Sequence, residues 1–140
     1  MEVTVNEQPK RFWQDRMDNE TRQRFWKSVV GHEIKVGEFS FFAAALPNNV
    51  LNVSEVTTGY KVFDKKLTFV DLLVTDTKEQ TMEFYRYYIG EKLKRIIQKN
   101  PDLKQKLTAV KAKQKELLGE MPEIEDFDET LITAPFGTIN

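Results

Sequence analysis

The alternation of apolar and polar positions gives the middle of the chain a period close to two. Ile34 and Val36 alternate with polar neighbours, and after Gly37-Glu38 the parity slips, so that Phe39, Phe41, Ala43 and Ala45 continue on the other count. A bulge or tight turn at Gly37 accounts for that slip. Pro47-Asn48-Asn49 and Thr58-Gly59 are turn signals that delimit strands at 50–57 and 60–63. Asp64-Lys65-Lys66 reads as a further turn before residues 67–74, the most apolar strand candidate. Such short connections predict an antiparallel meander of three or four strands.

From residue 76 the period lengthens to that of a helix. Asp76-Thr77-Lys78-Glu79 has capping-box spacing, with Asp76 placed to receive the first free amides. Met82, Tyr85, Ile89, Leu93 and Ile96 then fall within a stripe about 80° wide, which predicts a core-facing helix. Asn100-Pro101 ends it and opens a second helix with the stripe Leu103, Leu107, Val110, Gln114 and Leu117, closed by Gly119. The very short linker predicts a helical hairpin. Near the start, Arg11-Phe12-Trp13 recurs as Arg24-Phe25-Trp26, with Asp18 and Asn19 between the copies as capping residues. This predicts short helices over 9–17 and 19–30, their aromatics serving either as core or as exposed docking groups. The fold class expected is α+β: N-terminal helices, a three- or four-stranded antiparallel meander and a C-terminal helical hairpin in one domain over 1–119, then an extended acidic tail over 120–140. The order helix, three strands, helix resembles that of double-stranded-RNA-binding domains, but Thr77-Lys78-Glu79-Gln80 stands where those carry a lysine-rich motif. No specific family is identified.

Composition adds a globular constraint. With 140 residues, 40% of them hydrophobic and ten Phe, the chain suits a single domain with one real core. A formal net charge of −1 conceals a sorting by sign: residues 77–119 carry 11 basic and five acidic side chains, and residues 120–140 carry six acidic and no basic ones. The absence of cysteine removes thiolate and disulfide chemistry and suits a cytoplasmic protein. The longest apolar run, 41–46, is far too short for a bilayer, so no membrane role is expected.

Charge sorting supplies the candidate surfaces. Phe84, Tyr88, Lys92, Arg95 and Lys99 share one helix face, which puts rings beside cations as single-stranded nucleic-acid surfaces do. Lys104, Lys111 and Lys115 flank one side of the next stripe, like the charged borders of a coiled-coil seam. In the tail, Glu123, Ile124, Glu125, Asp126, Phe127, Asp128 and Glu129 form a short acidic motif with two apolar anchors, suited to a basic groove on a partner or on the chain's own Lys92, Arg95 and Lys99.

Catalysis has little support. His32 is the only imidazole, and Ser28, Ser40 and Ser54 lie in no nucleophile-elbow pattern. Glu55, Asp64 and Asp71 would serve as an acid–base pair or magnesium ligands only if the fold brought them together. A non-enzymatic interaction or regulatory module, without cofactor or metal, is therefore expected. Its partner would be another protein or a second copy, with nucleic acid as the alternative.

Overall fold

A computed structural model of the chain describes residues 1–131 and consists of seven antiparallel strands with helices mostly after them. The strands are β1 (Val3–Val5), β2 (Lys10–Met17), β3 (Arg24–Val36), β4 (Phe39–Leu46), β5 (Val50–Glu55), β6 (Lys61–Lys66) and β7 (Glu125–Asp126). Their order is β6-β5-β4-β3-β2-β7, with β1 also on β3. The helices are α1 (Phe69–Leu73), α2 (Lys78–Phe84), a π turn (Tyr85–Ile89), α3 (Gly90–Lys99) and α4 (Leu103–Leu118). The expected N-terminal helices and short meander are therefore wrong.

The N-terminal error has a local cause. Asp18 accepts from the amides of Glu20 and Thr21, and its own backbone exchanges bonds with Gln23 and Arg22, so it closes the β2–β3 hairpin turn instead of starting a helix. The Arg-Phe-Trp copies then lie on paired strands but offset in register, Trp13 opposite Ser28 and Asp15 opposite Trp26. Strand alternation sends each Phe and its neighbouring Trp to opposite faces. Phe12 is buried, Phe25 is exposed, and both tryptophans are half-buried.

The 13-residue β3 belongs to two layers. Residues 34–36 pair with β1 and 32–36 with β4, while 24–31 pair with β2. Although β2 is not a neighbour of β4 or β5 in the sheet, Phe12 stacks on Phe42 at 4.5 Å and Gln14 Nε2 donates to Asn52 Oδ1 at 2.7 Å. The hairpin thus folds back over β4 and β5. Gly31 stands where the layers part, and a Cβ there would lie 2.3 Å from the Ala43 carbonyl oxygen, so the close approach requires glycine.

Alternation along β4 separates two cores. Phe41 and Ala43 join Ile34, Val36, Leu51 and Val53 beneath Met82, Tyr85, Ile89 and Leu93, so four of the five expected stripe positions are buried in the first core. Phe42 and Ala44 join Phe12, with Val29, Val56 and Ile124 at the margin of the second. The helices start as the chain pattern implies, but Thr77 and Gln80 form the capping box of α2, not Asp76 and Glu79. Asn100-Pro101 does separate α3 from α4. The expected hairpin does not form in the packed sense: α3 lies on the first core, and α4 runs past Glu38, Ser40 and Thr57 to Asp15, bordering the second.

Residues 64–66, read as a turn, continue β6, and residues 67–74, read as a strand, contain α1. Leu67 closes the strand region by donating its amide to Asn49 and turning its side chain inward. Thr68 and Asp71 then cap one another reciprocally, Asp71 N to Thr68 Oγ1 at 3.1 Å and Thr68 N to Asp71 Oδ2 at 2.9 Å. Local capping overrides the strand propensity of the apolar run.

Candidate interaction surfaces

Helix α1 leaves its apolar residues in solvent. Phe69 is 75% exposed, Val70 63% and Leu73 59%, with Leu72 and Val74 also exposed. No residue of the helix is buried, so its amphipathic face has no counterpart among the described residues. It is fixed at both ends: Asp71 meets Lys65 at 3.2 Å, and Thr75 Oγ1 donates to the Asp71 carbonyl at 2.7 Å. Lys65 also sits over the Tyr88 ring, 5.0 Å from its centroid, which ties α1 to the π turn. There Tyr85 and Ile89 point inward while Tyr87 and Tyr88 stay exposed. The result is a projecting apolar helix beside two surface tyrosines, rigidly mounted.

The rings of the aromatic-cationic face expected on the first long helix are engaged within the molecule, while most of its side chains stay exposed. Phe84 stacks on Tyr88 at 5.0 Å, Lys65 covers Tyr88, and Lys92 lies over the Phe63 ring at 4.2 Å. Arg95 and Lys99 remain exposed. Lys104 approaches Glu38 at 3.9 Å, Lys115 approaches Glu120 at 3.7 Å, and Lys111 lines the groove between α4 and the tail. The first-helix and second-helix lysines therefore serve separate surfaces.

The tail motif closes in the same molecule, but not on Lys92, Arg95 and Lys99. Glu125 and Asp126 pair with Arg11 and Lys10 as β7. Trp13 Nε1 donates to the Glu123 carbonyl and Gln8 Nε2 to the Phe127 carbonyl, both at 2.9 Å, and Phe127 N donates to the Pro9 carbonyl. Trp26 Nε1 reaches the Gly119 carbonyl at 3.3 Å. Ile124 enters the second core, Phe127 lies under the Arg11 guanidinium, and Glu129 pairs with Lys78. Asp128 instead accepts from Thr130, which lowers its pKa. Residues 132–140 of the expected tail lie outside the described residues. Sequence reasoning missed the seat on β2 because a strand there was read as a helix.

Between the layers lies a polar network. Asn52 Oδ1 accepts from Gln14 and Ser54, Asn52 Nδ2 donates to Asp64, and Gln14 Oε1 accepts from Arg16. Gln14, Asn52 and Ser54 are buried, and beside them Asp15 pairs with Arg24 and accepts from Gln114, which also donates to the Thr58 carbonyl at 2.6 Å. The candidate carboxylates are absorbed locally: Glu55 accepts from Thr57 and Thr58, Asp64 from Asn52 and Lys61, and Asp71 caps α1. The described residues contain no group of three or more His, Asp or Glu placed to hold a metal ion. His32 is buried against Tyr85 with its Nδ1 unpartnered; burial, then the Lys78 charge, lowers its pKa to about 4, so it is neutral at pH 7. Among the described residues no helix is long and apolar enough to cross a membrane.

No protein-family model matches the chain, and comparison with the curated proteins and the solved structures finds no match.

Proposed function

We propose that the protein is a non-enzymatic interaction module that docks on another protein through α1, with Tyr87 and Tyr88 at its border. The observation that carries this reading is the exposure of four apolar side chains on a helix capped at both ends, with that of Val74 at its C-cap. The patch is on the order of 400 Å², within the range where exposed apolar area on a monomer tends to be functional. It is about half of what each side of a stable interface usually contributes, so α1 suits an anchor inserted into a partner's apolar groove better than a flat self-association surface. The nucleic-acid alternative is less well supported, because the rings proposed to stack on bases already stack on each other or lie under lysines.

The test is the double variant Phe69→Ser/Leu73→Ser. Both side chains are exposed, so the melting temperature should stay within a few degrees of wild type. Immobilised wild-type protein in host extract should retain a partner that the double variant releases; equal recovery by both proteins would refute the assignment of α1.

A further inference from the structure

We infer that the groove holding the tail is a peptide-binding seat, in which an extended acidic peptide from a partner protein replaces the protein's own residues 119–131. This surface is separate from α1 and stands or falls independently of it.

The seat recognises groups that any extended peptide offers. Four of its contacts go to main-chain atoms: the carbonyls of Gly119, Glu123 and Phe127, and the amide of Phe127. Specificity comes from spacing. Ile124 fills the margin of the second core, two acids follow opposite Arg11 and Lys10, an aromatic ring at Phe127 lies under Arg11, and an acid at Glu129 meets Lys78. The ligand class is thus apolar, acid, acid, aromatic, with a further acid two residues on, bound by strand addition.

The tail underfills this seat. An open groove of about 390 Å³ lies beside Ile124, between Trp26, Val56, Lys111, Gln114 and Lys115 on one side and Gly119, Glu120 and Met121 of the tail on the other. Lys111 takes part in no ion pair among the described residues, and the ion-pair partner of Lys115 is Glu120 of the tail itself. A peptide with a larger apolar anchor and another acid would satisfy both the groove and Lys111. Release of the tail requires a hinge, and Gly119 provides one: its φ is +79°, and nothing lies within 4 Å of the position a Cβ would take. The tethered tail competes at a high effective concentration, so the seat is a latch that only a better-fitting peptide opens.

The probe is a fluorescein-labelled peptide with the sequence of residues 119–131, titrated by anisotropy at low salt against full-length proteins. Glu125→Lys/Asp126→Lys reverses the exposed charges opposite Lys10 and Arg11 and should open the latch without touching a core. It should bind the probe at least about tenfold more tightly than wild type, since the competent fraction rises. Adding Arg11→Glu should abolish that gain, a scrambled peptide should not bind, and Phe69→Ser/Leu73→Ser should behave as wild type. If circular dichroism shows the charge-reversed protein unfolded, Phe127→Ser takes its place with the same expectation. Equal affinity in wild type and opened variants, equal binding of the scrambled peptide, or displacement of the probe by a single-stranded oligonucleotide would each overturn the inference.

Discussion

On β4, Phe41 and Ala43 point into an apolar core shared with α2, the π turn and α3, whereas Phe42 and Ala44 point into a layer that turns polar at Gln14, Asn52 and Ser54. The first side is closed by a continuous helix whose stripe needs only area. The second is closed piecemeal, by a folded-back hairpin, by α4 through Gln114, and by the tail through Ile124. Non-directional burial tolerates small changes of register, while hydrogen bonds and ion pairs fix which segment closes the second side and in what register.

Substitutions on the two sides should separate these modes. Phe41→Ala should cost about 4 kcal/mol in urea unfolding, because it empties a wholly buried site in the helix-covered core. A loss below about 1 kcal/mol would mean that this core is not where stability resides. Asp15→Ala should cost about 3 kcal/mol by leaving Arg24 and the Gln114 amide without their shared acceptor. Replacing Asp15 and Arg24 together by apolar residues should recover most of that loss, as area alone would never predict. His32 provides a pH test of the first side. Its folded pKa of about 4 lies below the ordinary 6.5, so the unfolded chain binds the proton more tightly. Stability should be level above pH 6.5 and fall by up to about 3 kcal/mol as pH drops from 6.5 towards 4. The difference between wild type and His32→Gln across that window isolates the effect, and parallel curves would contradict it.

The helical half of this comparison was legible in the sequence, because a stripe such as Met82, Tyr85, Ile89 and Leu93 has one period and one meaning. The turns built on Asn or Gly were legible too: Asn48 and Asn49 both take positive φ, as does Gly37 between Val36 and Phe39, whereas Asp64-Lys65-Lys66 continues a strand. The N-terminal hairpin was not. Arg-Phe-Trp carries no period within three residues, and Asp18 offers the same oxygen to a helix start or to a hairpin turn. Residues 67–74 failed for a related reason, since a short apolar run with Thr and Asp three apart satisfies strand propensity and a capping box at once. The acidic motif was found, but its seat could not be, because strand partners distant in sequence leave no local pattern.

One feature of the tail seat makes the protein its own reporter. The chain has two tryptophans, and both indole nitrogens donate to carbonyls of residues 119–123. The tryptophan emission of the unlabelled molecule, which excitation to the red of tyrosine absorption selects, therefore originates beside the tail and not in the helix-covered core. Departure of residues 119–131 would hydrate both fluorophores together, while events confined to α1 would leave their spectrum unchanged.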